Sequence, residues 1–172
     1  MDYIKIEEKA NSVLVENNLL PKSEFAIDVY KLAENYSIKI QEKSLGNEIS
    51  GLLVLKNDRA AIGIDSNQGP KRKRFTIAHE LGHYFLHREV KRTFIDEVFT
   101  RSGDSNQIER EANAFAASLL MPKDLVERAI DSQGWAQIDD EHIEKLADWF
   151  NVSGISMTYR LVNLKIINQP YF

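Results

Sequence analysis

Residues 79–83 read His-Glu-Leu-Gly-His, and that spacing has chemical meaning on only one kind of backbone. On an α-helix, residues four apart differ by about 40° around the axis, so His79 and His83 project from one face and can share a single ion. Glu80, about 100° from His79, flanks that ion. Two neutral imidazoles supply nitrogen ligands of the kind zinc takes, and the carboxylate is placed to move a proton without binding the metal itself. Composition alone does not produce the pattern: a shuffled chain with the same histidines and glutamates would contain it with a probability of about 0.008. Two of the 4 histidines stand in it, and the small Gly82 between them lets a neighbouring element approach closely.

At 172 residues with 43% hydrophobic side chains, the chain can fold around such a helix as about one domain. A domain of this size buries roughly 70% of the surface its unfolded form exposes, so an ion here would serve chemistry rather than hold a weak core together. The sequence has no cysteine. That excludes a thiol nucleophile, a cysteine-ligated zinc and a disulfide framework, and it accords with a reducing compartment. The first residues carry no basic-then-apolar leader, and the longest largely apolar run, Ala114 to Met121, falls far short of the roughly 18 residues that span a bilayer. A cytoplasmic protein with no membrane association is expected.

The net charge of -4 argues against a protein that coats nucleic acid. One local exception is the run Lys71-Arg72-Lys73-Arg74. It reads either as the solvated start of a helix or as a docking patch for an acidic partner or a phosphate backbone, because cations at a helix N-terminus oppose its dipole.

Periodicity gives the order of elements. A helix is expected over Phe25 to Tyr36, and short strands over Ile38 to Gln41, Ile49 to Leu55 and Ala60 to Ile64, forming a small antiparallel meander with one open edge. The motif helix runs from about Arg72 to Arg88. A polar loop containing Ser102-Gly103-Asp104-Ser105 follows, then a helix from Gln107 to Leu120 that stops at Pro122. Another helix starts at Lys123. Beyond Gly134 two helices are expected, about Asp139 to Phe150 and Ile155 to Leu164, around a turn at Asn151-Val152-Ser153. Helix, sheet, then helices is an α+β arrangement.

A catalytic zinc takes three protein ligands and keeps one open position. His87 lies a further turn along the motif helix and lines the cleft rather than joining the same ion, and His142, among Asp140, Glu141 and Glu144, reads as a solvated face. The third ligand is therefore sought on the helix from Gln107 to Leu120. Its buried stripe is Ile108, Ala112, Phe115 and Leu119, with Glu109 on one flank and Glu111 on the other. Glu109 shares its flank with Asn113, Ala116 and Leu120 and is the better ligand, Glu111 being the more exposed alternative. Asn113, one turn on, is positioned to orient an imidazole. Tyr84 and His87 are candidates for stabilising a developing oxyanion, or else packing residues.

These residues resemble the ImmA/IrrE metallopeptidases. The likeness lies in Arg74-Phe75-Thr76-Ile77-Ala78-His79-Glu80-Leu81-Gly82-His83-Tyr84, in Glu109-Arg110-Glu111-Ala112-Asn113-Ala114-Phe115-Ala116 and in Leu119-Leu120-Met121-Pro122. The resemblance implies a zincin-like metallopeptidase domain over residues 1–134, with a three-stranded antiparallel sheet packed on its helices, and a helical, helix-turn-helix-like tail over residues 135–172. It implies His79, His83 and Glu109 as metal ligands, Glu80 as catalytic base, zinc or manganese as the ion, and a helix-turn-helix repressor as protein substrate. Some relatives carry a sensor-like domain after the tail; with this sequence ending at Phe172, regulation by one is not expected.

Three functions of different kinds follow. One is a zinc endopeptidase that cleaves a repressor, with a substrate strand added to the sheet edge at Ser50 to Leu55. The second is a metal-bound anti-repressor that binds its partner stoichiometrically without cutting it. The third is a DNA-binding regulator using the tail. The tail speaks against the third: residues 135–172 carry three basic side chains (Lys145, Arg160, Lys165) and five acidic ones (Asp139, Asp140, Glu141, Glu144, Asp148). A structural helical pair or a docking surface for the substrate protein suits it better.

Overall fold

The computed structural model describes residues 2–46, 49–57, 59–90, 93–97 and 103–168, the side chains of 96–97 and 103–106 excepted. Its first element is a helix to which the sequence reading assigned nothing, α1 (Tyr3–Glu16). Ile6, Ala10, Val13 and Leu14 recur at i, i+4, i+7 and i+8, and each is at most 1% exposed. Burying such side chains is worth roughly 1.5–3 kcal/mol each for the larger ones, enough to dock a helix of this length. Asp2 caps it, accepting from the Ile4 amide at 3.3 Å. The second helix is shorter than periodicity suggested: α2 (Val29–Asn35) starts after Asp28, whose carboxylate accepts from the Lys31 amide at 2.9 Å, and Phe25 to Ile27 lie outside it.

The sheet differs from expectation in two ways. It contains β1 (Lys39–Lys43), β2 (Ile49–Lys56), β3 (Arg59–Asp65) and β4 (Thr93–Glu97), in the order β1-β3-β2-β4. β2 pairs antiparallel with β3 (Leu53 opposite Ile62) and with β4 (Leu53 opposite Phe94), while β1 runs parallel to β3 (Ile40 opposite Ile62). The three-stranded antiparallel meander is thus corrected to a four-stranded mixed sheet. The open edge placed at Ser50 to Leu55 is corrected as well, because β2 is an interior strand. The reason lies in the side chains. β2 buries Gly51 and Leu53 on one face and half-buries Leu52 and Val54 on the other, so both its backbone edges need partners. β1 exposes all but Ile40 and tolerates the rim. In β4 only Phe94 and Ile95 are apolar, too weak an alternation to distinguish from a loop.

The inner face of the sheet, formed by Leu53, Ile62, Ile64 and Phe94, covers α3 (Pro70–His87). Pro70 sits at its first position, where a missing N–H costs nothing. Then come α4 (Gly103–Leu120), α5 (Lys123–Gln133), α6 (Asp140–Phe150) and α7 (Gly154–Asn163). Gly103 to Ser105 of the expected loop open α4, and Ser102 lies outside the described residues. Gly134 ends α5 in the left-handed conformation, φ 66°.

Ile143, Leu146, Phe150, Met157 and Leu161 from α6 and α7 join the same buried cluster as α1 and the sheet. Arg160, 4% exposed, fastens α7: its Nε donates to the Met121 carbonyl at 2.8 Å and its guanidinium pairs with Glu7. The basic run has partners within the molecule. Lys71 pairs with Asp148 and Lys73 with Glu42, each at 2.7 Å, Arg74 Nε donates to the Asn151 carbonyl, and Arg72 lies over the Phe75 ring. No helix among the described residues is long and apolar enough to cross a membrane.

Candidate metal centre

The site is made where α3 and α4 touch, and a glycine sets how closely they do. A Cβ on Gly82 would lie 3.0 Å from the backbone of Ala112 and 3.3 Å from Phe115 Cβ, so its absence lets the α3 backbone pack directly on the α4 backbone. That contact brings the α4 turn carrying Glu109 and Asn113 against the α3 turn carrying His79 and His83.

Three donor atoms then form a small triangle. His79 Nε2 lies 3.1 Å from His83 Nε2 and 3.0 Å from Glu109 Oε2, and His83 Nε2 lies 3.4 Å from the same oxygen. His79 and His83 are 3% and 1% exposed, whereas the Glu109 side chain keeps 25% of its surface, so the triangle opens on the Glu109 side. Lone pairs this close repel unless a proton or a metal ion lies among them. A tetrahedral zinc with bonds of 2.0–2.1 Å separates its ligand atoms by about 3.3 Å, close to all three edges seen here. The donor set, two imidazole nitrogens and a carboxylate, fits zinc, and manganese is compatible with it. Among the described residues, His79, His83 and Glu109 are the group of donors arranged to hold a metal ion.

Electrostatics agree. Burial pushes the Glu109 carboxyl up, but the His79 and His83 imidazoles beside it outweigh burial and hold the group at about 2, ionised at any ordinary pH. His79 Nδ1 is 3.0 Å from Asn113 Oδ1. An amide oxygen only accepts, so Nδ1 carries a proton and Nε2 is the ring nitrogen left to ligate an ion. This is the orienting part for which Asn113 was singled out.

Glu80 is fully buried, next to β2. A Cβ on Gly51 would clash with Thr76 and would stand 2.7 Å from Glu80 Oε1, so the strand passes the carboxylate at a distance only glycine permits. A short chain of bonds holds β2 in that place: Gln68 Nε2 donates to the Ser50 carbonyl and Thr76 Oγ1 to Gln68 Oε1, both at 2.9 Å. Sequence reasoning missed Gly51, whose only signal was a glycine inside an apolar strand.

Other residues fall elsewhere. Glu111 is not at the triangle and is not the exposed side chain expected: 12% exposed, it accepts from His87 Nε2 at 2.9 Å. With Nε2 on Glu111 and Nδ1 on His83, His87 has no ring nitrogen left for a substrate oxygen. Tyr84 packs edge-on against Tyr36 and carries Arg88 on its ring. His142 completes a capping box with Asp139 at the start of α6 and packs against Trp135. Phe94 of β4 stacks on His83 at 4.5 Å, a contact no sequence pattern indicated.

Residues 33–162 match the family model of the IrrE N-terminal-like domain. The chain is 29% identical over 157 residues to "Metallopeptidase ImmA" of Bacillus subtilis (strain 168), covering 91% of this chain and 83% of that one. It is 34% identical over 93 residues to "Uncharacterized immunity region protein 2" of Bacillus phage phi105, covering 54% and 58%. A solved structure, "Mycobacterium tuberculosis transcriptional regulator", shares the fold with a TM-score of 0.63 at 16% identity, over 92% of this chain and 46% of that one.

Proposed function

Because the chain belongs to the ImmA/IrrE metallopeptidase family, we propose that it is a metal-dependent endopeptidase whose substrate is a helix-turn-helix repressor. The observation that carries this reading is the convergence of His79 Nε2, His83 Nε2 and Glu109 Oε2 within 3.0–3.4 Å of one another, one residue away from Glu80. In this reading His79, His83 and Glu109 hold the ion. A divalent zinc or manganese bound there would polarise the scissile carbonyl and bring the pKa of water towards about 7. Glu80 accepts the proton of the attacking water and delivers it to the leaving amide nitrogen, so that peptide plus water gives a carboxylate and an amine. The buried walls around His79 and His83 exclude bulk water, and ligation requires a bare Nε2 on each ring.

Substrate placement moves from β2 to β4, which ends the sheet order among the described residues and touches His83 through Phe94. A strand added beside β4 would run past the triangle. Residues 135–172 we read as a helix-turn-helix-like tail that braces a catalytic body of residues 1–134, and the acidic balance of that tail argues against DNA as its partner. The immunity-region name of the phage relative supports a repressor-related setting, and a cytoplasmic location belongs to the same proposal, since that is where such a substrate works.

The complete burial of Glu80 is the one observation favouring stoichiometric binding without cleavage. One experiment separates the two. The purified chain is incubated with zinc or manganese and a repressor encoded beside its own gene, and intact masses are recorded. The enzyme reading expects two complementary fragments from the wild type and none from Glu80→Gln or after chelation. Antagonism of the repressor without fragments, equal in both proteins, would establish the binder instead.

A further inference from the structure

His79 and His83 need the same thing, a proton on Nδ1 so that Nε2 is bare, and α4 offers an amide oxygen to only one of them. For His83 the structure contains a longer path. Glu111 Oε2 lies 2.9 Å from His87 Nε2, His87 Nδ1 lies 3.2 Å from His83 Nδ1, and His83 Nε2 faces the triangle. The polarity of these bonds is set from the outer end. An ionised carboxylate only accepts, so His87 Nε2 carries a proton; a neutral His87 then has its lone pair on Nδ1, and the proton between the two rings belongs to His83 Nδ1.

We propose that Glu111 and His87 are positioning residues for the metal centre, a two-step relay that fixes the tautomer and ring plane of His83 as Asn113 does for His79. The assignment rests on the metal-binding reading of the triangle given above. Three features show the relay is built in rather than incidental. His83 and His87 are 1% and 4% exposed, so neither can exchange these bonds for water. Phe94 stacks on His83 with the ring planes 15° apart and also abuts His87 at 6.2 Å, which restricts rotation of both imidazoles. Gln107 Nε2 donates to the other Glu111 oxygen at 3.1 Å and steadies the outer end. Outer partners of metal-bound histidines fix orientation and raise ligand basicity, and their loss typically costs about 10–100-fold in metal affinity.

The test reads tautomers and affinity, not turnover. In metal-free protein with ¹⁵N-labelled histidine, ring-nitrogen shifts are expected to show His83 protonated on Nδ1 and His87 on Nε2. Zinc affinity, measured by competition with a chromophoric chelator, is expected to fall about 10–100-fold in His87→Phe, with the His83 proton redistributed between its nitrogens. His87→Gln, whose amide oxygen still accepts from His83, and Glu111→Gln, which still accepts from His87, are expected to stay within about three-fold of wild type, and they answer the objection that His87→Phe merely misfolds. A His83 Nδ1 without a proton in the wild type, or a His87→Phe protein with wild-type affinity and an unchanged His83 tautomer, would overturn the relay. A wild-type protein that shows the expected tautomers but binds no zinc would instead overturn the metal reading on which the relay's purpose depends.

Discussion

The two halves of α3 show what polar residues do in two settings. In the first turns Lys71 and Lys73 pair with Asp148 and Glu42, carboxylates that are 72% and 43% exposed, Arg72 is exposed, and Arg74 is half-buried against the Asn151 carbonyl. In the last turns His79, Glu80, His83 and His87 are all under 5% exposed. Four titratable side chains within nine residues cannot be buried cheaply, since each must lose water and find partners. The exposed half is ordinary surface. The buried half is what the metal-dependent reading accounts for, because an ion among His79, His83 and Glu109 would offset part of that cost.

The largest effects belong to Glu80 and Glu109, and they should differ in kind. Glu109→Gln removes a ligand charge, so metal affinity should fall by more than the roughly 10–100-fold of an outer partner, and peptide cleavage with it. Glu80→Gln should leave affinity near wild type while lowering the cleavage rate by about 10²–10⁴. Chelator competition and fragment yield, measured on the same preparations, separate the two; equal loss of metal in both variants would mean that Glu80 is a ligand rather than a base.

Gly51→Ala tests the buried half from the sheet side. The new methyl would meet Thr76 and lie 2.7 Å from Glu80 Oε1, so the strand or the carboxylate must move. Overpacking of this kind costs about 1–3 kcal/mol. Urea denaturation should show that loss, and cleavage should fall with zinc affinity unchanged, because the methyl displaces Glu80 and not the triangle.

The buried half also governs acid stability. Burial, with the nearby His83 adding to it, lowers His87 from 6.5 to about 4. Above pH 6.5 the group is neutral in folded and unfolded chains alike, and its contribution is fully present. As pH falls from 6.5 to 4 the unfolded chain takes up a proton that the folded one refuses, so stability drops, by about 3 kcal/mol when complete. Glu109, lowered from 4.5 to about 2, has the same sign in a lower window, its stabilisation being lost as pH falls from 4.5 to 2. Urea midpoints of chelator-treated protein at pH 7.0 and 4.5 check this: wild type should lose stability between them and His87→Gln should lose much less.

The chemistry was more legible than the architecture. Helical geometry put His79 and His83 on one face by their separation and Glu80 beside them by its offset, and the flank of the α4 stripe favoured Glu109 over Glu111 for the cluster that forms, although Glu111 is the less exposed of the two. Asn113 followed from the same projection. Glu111 did not, since helical projection sees one helix, and the burial of Glu111 is produced by His87 on another. The α1 stripe of Ile6, Ala10, Val13 and Leu14 was equally periodic and simply went unread. The sheet was legible in part. Strand existence for β2 and β3 follows from alternation, but the parallel pairing of β1 with β3 and the arrival of β4 are decided by which edges remain after α3 is covered, a property of the assembled layers. Gly51 joins that class: its meaning appears only once Glu80 lies beneath it.

The smallest effect completes the contrast. Lys71→Ala and Lys73→Ala each delete an ion pair that ties the start of α3 to α6 or to β1. Exposed pairs of this kind are worth about 0–1 kcal/mol because water and salt screen them and long side chains lose entropy in making them. Removing a cation from the first turns also relieves its opposition to the helix dipole, which offsets part of the loss. Each variant should therefore unfold within about 0.5 kcal/mol of wild type, and the difference should shrink further in 1 M salt, where the screening length is about 3 Å. Neither should alter zinc affinity. A loss above about 2 kcal/mol that persists at high salt would show that the first turns of α3 are bound to the tail and sheet as firmly as its last turns are to α4, and the distinction between the two halves would be one of composition alone.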